Sequence, residues 1–188
     1  MSKKNQPKTW KVYSRKTVFK CPWFQIVEED IKKPNGFRGK YYIQQGREKN
    51  DFVIVIALKR NCFYMTKQWR STLKKETIEF VAGSVEKNES YLKAAKRELL
   101  EEVRIRAKRW RYLGRVAVAP GHTLRYGRIF LAEEITKVKT KVKGEPGEDT
   151  RPVKIPLQKY KQMVSQGKIN GGPTLSAYLL YLAWSKKL

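Results

Sequence analysis

One stretch, GSVEKNESYLKAAKRELLEEVRI at residues 83–105, constrains this chain more than any other, because it concentrates acid where the rest of the sequence is basic. Glu86, Glu89, Glu98, Glu101 and Glu102 are five of the 17 acidic residues in a 188-residue chain of net charge +25. Carboxylates packed so closely repel one another unless a cation or an arginine sits among them. The spacing predicts a helix from Glu89 onward: Leu92, Ala95, Leu99 and Val103 make an apolar stripe, and Asn88 could cap it. Glu98, Glu101 and Glu102 stand at i, i+3, i+4 and share one face, with Arg97 beside it. A ridge of oxygen donors suits a hard divalent ion, Mg²⁺ or Mn²⁺, which binds phosphate oxygens at the same time. The plainer alternative is a surface helix with a solvated acidic face.

The length fits one domain with a sizeable core, and 40% hydrophobic with 12% aromatic residues argues against disorder. No apolar run reaches membrane-spanning length, Phe52 to Leu58 being far too short, so no membrane partner is expected. The start, MSKKNQPKTWK, has charge but no apolar region and does not read as a signal peptide. Cys21 and Cys62 lack metal-site spacing and read as reduced thiols of a cytoplasmic protein. The 42 lysines and arginines attract polyanions, non-specific nucleic acid included; they are spread along the chain, which also fits a merely solubilising role.

Read in order, Trp10–Phe19, Trp23–Ile31 and Lys40–Gln44 read as strands, giving an N-terminal β subdomain at residues 1–46 ahead of a main domain at 47–188. Phe52–Leu58 reads as a strand buried on both faces, with Cys62–Trp69 as its partner and 71–77 as a polar connection. After the helix come strands at Trp110–Ala119, Tyr126–Glu133 and Ile135–Val142, a short strand at Val153–Ile155, a helix at Pro156–Gln166, and a last helix capped by Thr174 and running to Trp184. Strands on both sides of a central helix, closed by further helices, give an α/β sandwich.

Gly83, Glu89, Arg97-Glu98-Leu99 and Glu101-Glu102, at these spacings, resemble the Nudix box of nucleoside-diphosphate-X hydrolases; Arg104 stands where that motif has glycine. Gln68-Trp69-Arg70, Glu79-Phe80-Val81-Ala82-Gly83, Ala119-Pro120-Gly121 and Ile129-Phe130-Leu131-Ala132 are similar to segments of the ADP-ribose pyrophosphatase-like subgroup. The resemblance implies a Nudix-type α/β/α sandwich with an N-terminal β-strand extension, working as a homodimer. It implies that metal ions bridge a diphosphate while a polarised water attacks phosphorus. Carried onto this chain, Glu98, Glu102 and Glu101 with the Ala82 carbonyl would hold the metal. Glu89 would pair with Arg97, and Gly83 would let the backbone turn. Arg70 and Glu79 would meet the substrate, with Gly121 in the loop after Pro120. Trp23 or Phe24 could stack on a base, or be ordinary core aromatics. An acid expected after Pro120-Gly121 is replaced by Leu124-Arg125, and a later acidic run keeps only Glu148 and Asp149 before Thr150-Arg151. Glu148 is the candidate general base; the one histidine, His122, reads as incidental.

The expected activity is Mg²⁺-dependent hydrolysis of ADP-ribose or a related nucleoside diphosphate sugar, giving a nucleoside monophosphate and a sugar phosphate. Two alternatives stay open: a basic protein of the same fold that binds RNA with weak or no catalysis, and an enzyme acting on capped or 5′-triphosphate RNA.

Overall fold

The structure is a computed structural model that describes residues 9–46, 51–139 and 149–186. The chain divides into two compact units, Met1–Asn50 with Ala119–Arg125, and Asp51–Val118 with Tyr126–Leu188.

The first unit is a four-stranded sheet. Its strands β1 (Lys11–Lys20), β2 (Gln25–Lys32) and β3 (Arg38–Gln45) form an antiparallel meander. The short strand β9 (Thr123–Leu124) adds to β3 in parallel, so a segment read from sequence as a loop completes the N-terminal sheet. Val27 and Ile31 on β2 are buried, whereas all ten residues of β1 are exposed.

The second unit is built around β4 (Asp51–Lys59), the expected strand with two apolar faces. It lies between β5 (Cys62–Arg70) and β10 (Tyr126–Lys137), in a sheet ordered β11-β5-β4-β10-β8, where β8 is Ile105–Ala117 and β11 is Thr150–Pro156. Because strand side chains alternate, Val53, Val55 and Ala57 point to one core and Ile54 and Ile56 to another. The first core is closed by Ala94, Ala95, Leu99 and Val103 of helix α1 (Tyr91–Val103). The second is closed by Tyr160 of helix α2 (Leu157–Ser165) and by Ala177, Tyr178 and Tyr181 of helix α3 (Gly172–Trp184). Phe63 packs edge-on against Phe80, Tyr160, Tyr178 and Tyr181 in that second core. The α/β sandwich therefore has α1 on one face of the sheet and α2 and α3 on the other. Among the described residues no helix is long and apolar enough to cross a membrane.

Several expected boundaries move. The polar connection at 71–77 holds part of strand β6 (Lys75–Glu79), which forms a hairpin with β5, and β7 (Val81–Ser84) pairs with β4. β6 pairs with β5 alone, so its polar sequence carries no apolar period to announce it. Strand β8 begins at Ile105, five residues earlier than expected, because the edge of a sheet tolerates the charged run that follows. The two strands expected at 126–133 and 135–142 are one, passing through Glu134 at φ 53°; residues 140–142 lie outside the described residues. The last helix is capped by Gly171 with Pro173 in its first turn, not by Thr174, which is buried inside it.

Candidate active site

The acidic stretch forms a strand, a loop and a helix folded onto one another. The N-cap is Ser90, whose hydroxyl accepts from the Lys93 amide at 3.3 Å. Asn88, the expected cap, takes a left-handed turn at φ 62°, a conformation asparagine tolerates. Glu89 lies outside the helix and closes the loop, its carboxylate accepting from the Glu86 amide at 3.1 Å.

Arg97 organises the charges. Its Nε and Nη2 donate to the two oxygens of Glu89 at 3.1 and 3.0 Å, the bidentate arrangement that suits a guanidinium. Nη2 also reaches the Ser84 carbonyl at 2.9 Å, while Nη1 bridges Glu98 at 2.7 Å and Glu101 at 3.1 Å. Glu86 stands further out, at 3.7 Å. These carboxylates, Glu89 foremost, push the guanidinium further toward its protonated form against the opposing effect of burial. The expected Glu89–Arg97 pair is thus present and ties helix, loop and strand β7 together.

Glu98 and Glu102, one turn apart, are both buried at 7% exposure, and Glu101 is more open. Gly83 explains how a carboxylate fits there. A Cβ built on Gly83 would overlap the Glu98 carboxylate group. The glycine is needed for close approach and not for a sharp turn, since it sits in the β7 ladder opposite Val53 with no left-handed φ. Glu98 therefore lies against the backbone one residue from Ala82. Among the described residues no three acidic, histidine or cysteine side chains converge on a metal-sized point; Glu98 and Glu101 are drawn onto Arg97. The donor set still fits a hard divalent cation: buried carboxylates, a backbone segment with its Cβ removed, and no nitrogen or sulfur ligand.

Arg70 and Glu79 meet each other. Arg70 Nε and Nη2 donate to Glu79 at 2.9 and 2.5 Å across the β5–β6 hairpin. Burial alone would raise the Glu79 carboxyl, but hydrogen bonds from Arg70 and Thr77, with the arginine charge, outweigh it and hold the group below its ordinary value. Thr77 donates at 2.6 Å and was not singled out in the sequence, because only the hairpin brings it to Glu79. Trp23 and Gly121 belong to the first unit. Trp23 is 81% exposed, which excludes the core-aromatic reading, and Phe24 packs on Phe19. The Gly121 carbonyl accepts from the Tyr41 hydroxyl. Glu148 lies outside the described residues.

Arg104, in the place of the motif glycine, holds a left-handed conformation at φ 56°, ψ 47° as the C-cap of α1, its amide bonded back to the Leu100 carbonyl at 3.1 Å.

The chain is similar to known proteins over most of its length. The NUDIX domain profile matches residues 47–167. An ADP-ribose pyrophosphatase of Bacillus subtilis (strain 168) is 25% identical over 167 residues, covering 89% of each chain. A methanol dehydrogenase activator of Bacillus methanolicus is 24% identical over 170 residues, covering 90% of this chain and 88% of its own. A crystal structure of an ADP compounds hydrolase superposes with a TM-score of 0.82 at 24% identity, over 99% of this chain and 98% of its own, and so shares the fold. With the matched profile spanning most of its length, the chain belongs to the NUDIX domain family.

Proposed function

We propose that this protein hydrolyses the diphosphate bond of ADP-ribose or a related nucleoside diphosphate sugar, with Mg²⁺ or Mn²⁺ as the required ion. The observation that carries the reading is the burial of Glu98 and Glu102 on one ridge, with Glu98 seated on the Gly83 backbone. Glu98 and Glu102, with Glu101 and the Ala82 carbonyl, are the groups that would hold the ion, which when bound neutralises diphosphate charge and acidifies water. Arg97 orients Glu98 and Glu101 while Glu89 anchors Arg97 to the loop. Arg70, placed by Glu79, offers a guanidinium to a terminal ribose or phosphate, and Glu148 is the candidate base. Trp23, which is exposed, and Gly121 are assigned to the substrate side in the same reading. Residues 1–46 as a separate β subdomain and a homodimer belong to the same reading.

The test is AMP release from ADP-ribose with Mg²⁺, compared with Glu102→Gln. A metal-dependent rate that falls by about 10²-fold or more in the variant is expected. Equal rates in both chains would overturn the reading. The +25 charge favours a second reading, RNA binding without catalysis. It requires RNA affinity that falls steeply with salt and is indifferent to Glu102→Gln.

A further inference from the structure

A hollow lies at the C-terminal end of the box helix. It encloses about 320 Å³ and is lined by Tyr64, Val103, Val138 and Val153 together with Arg104, Lys137 and Lys154. None of the acidic residues of the box lines it. Its size is that of a small-molecule site. Arg104 comes from the helix cap, Lys137 from the end of β10 and Lys154 from β11, so three elements deliver three cations to one place. Among the described residues none of the three is paired with an acid. Lys154 instead stands over the Tyr64 ring, its cross-strand partner, at 6.0 Å.

Two features there are unfavourable on their own. Three like charges around one cavity repel, although weakly, because Arg104, Lys137 and Lys154 are all exposed to water. Arg104 also holds a left-handed backbone that glycine would adopt without strain, locked by the Val138 amide bonding to its carbonyl at 3.0 Å. The helix dipole accounts for one cation at this end of α1, but not for two lysines brought in by strands. An anion between them removes the repulsion and gives the guanidinium a partner. The valines and the Tyr64 ring add an apolar wall. We propose that this hollow is a second anion site, separate from the box carboxylates, and that it takes an organic phosphate with a flat apolar body, of the nucleoside monophosphate class.

The test is titration of the full chain with AMP in EDTA, followed by backbone amide shifts, so that no hydrolysis is involved and failure of the proposed activity leaves the result readable. Saturable shifts centred on Arg104, Val138 and Lys154 are expected. Affinity should fall at least tenfold in Lys137→Gln/Lys154→Gln and should hold in Lys108→Gln/Lys161→Gln, which removes the same charge elsewhere. Arg104→Gly should also weaken binding while raising the melting temperature, which separates a binding role from a merely structural one. Inorganic phosphate should perturb the same amides with lower affinity. Absence of saturation, shifts confined to the Gly83 region, or equal weakening in both double variants would overturn the proposal.

Discussion

Two charge clusters in this molecule are mirror images. In the box, one cation, Arg97, is shared by Glu86, Glu89, Glu98 and Glu101. In the N-terminal sheet, one carboxylate, Glu28, is shared by Lys40 at 2.5 Å, Tyr42 at 2.9 Å and Lys16 at 3.3 Å. Hydrogen bonds from Lys40 first, then Tyr42, hold the Glu28 carboxyl down to about 2. In a chain of net charge +25, the second arrangement is what chance placement of acid gives. The first is not: four acids around a single guanidinium leave negative charge to be neutralised. The difference teaches that the box is the place where this basic protein keeps a demand for positive charge.

Gly83→Ala should break the box side of the comparison most severely. Its methyl group would occupy the space of the Glu98 carboxylate. We expect hydrolysis to fall by at least about 10²-fold as the Glu98 carboxylate is displaced, with little loss of stability, because that carboxylate ends a flexible side chain that can swing away. Arg97→Ala, next in size, leaves Glu89 and Glu98 facing each other in a half-buried pocket and should destabilise the fold by about 2–3 kcal/mol. Arg70→Ala tests an intermediate case, one cation on one carboxylate at a partly exposed site, and should cost about 1 kcal/mol. The smallest effect belongs to Glu28, and it sharpens the contrast through pH. Its folded value lies below its unfolded one, so its contribution is complete above about pH 4.5 and is lost as pH falls toward 2. Amide protection factors in β1–β3, corrected for the intrinsic exchange rate at each pH, should therefore fall across that window in the native chain, with a weaker pH response in Glu28→Gln.

The elements whose sequence period matched their burial were legible beforehand. Strand β4 and its two faces and most of the α1 stripe follow from spacing, although Leu92 is exposed and Ala94 is buried in its stead. The Glu89–Arg97 pair follows from the family resemblance, since Glu89 lies outside the helix. Strand β6 did not, because one-sided pairing leaves no period, and neither did β9, whose two residues become a strand only against β3. In the site, the acidic ridge was visible while the purpose of Gly83 was not. A glycine required for space and one required for dihedral freedom look alike until the neighbouring carboxylate is located. The Arg70–Glu79 pair escaped for a related reason: both residues had been assigned outward to a substrate, and only the hairpin register turns them toward each other.

The parallel pairing of β3 with Thr123–Leu124 has a consequence for biosynthesis. A ribosome delivers β1, β2 and β3 early, yet their fourth strand emerges only after the whole acidic helix has been made. Until then β3 presents a bare edge to the surrounding solution. Release of a truncated chain ending before residue 123 would leave that edge permanently open, so premature termination is expected to yield an aggregating fragment in place of a small independent sheet.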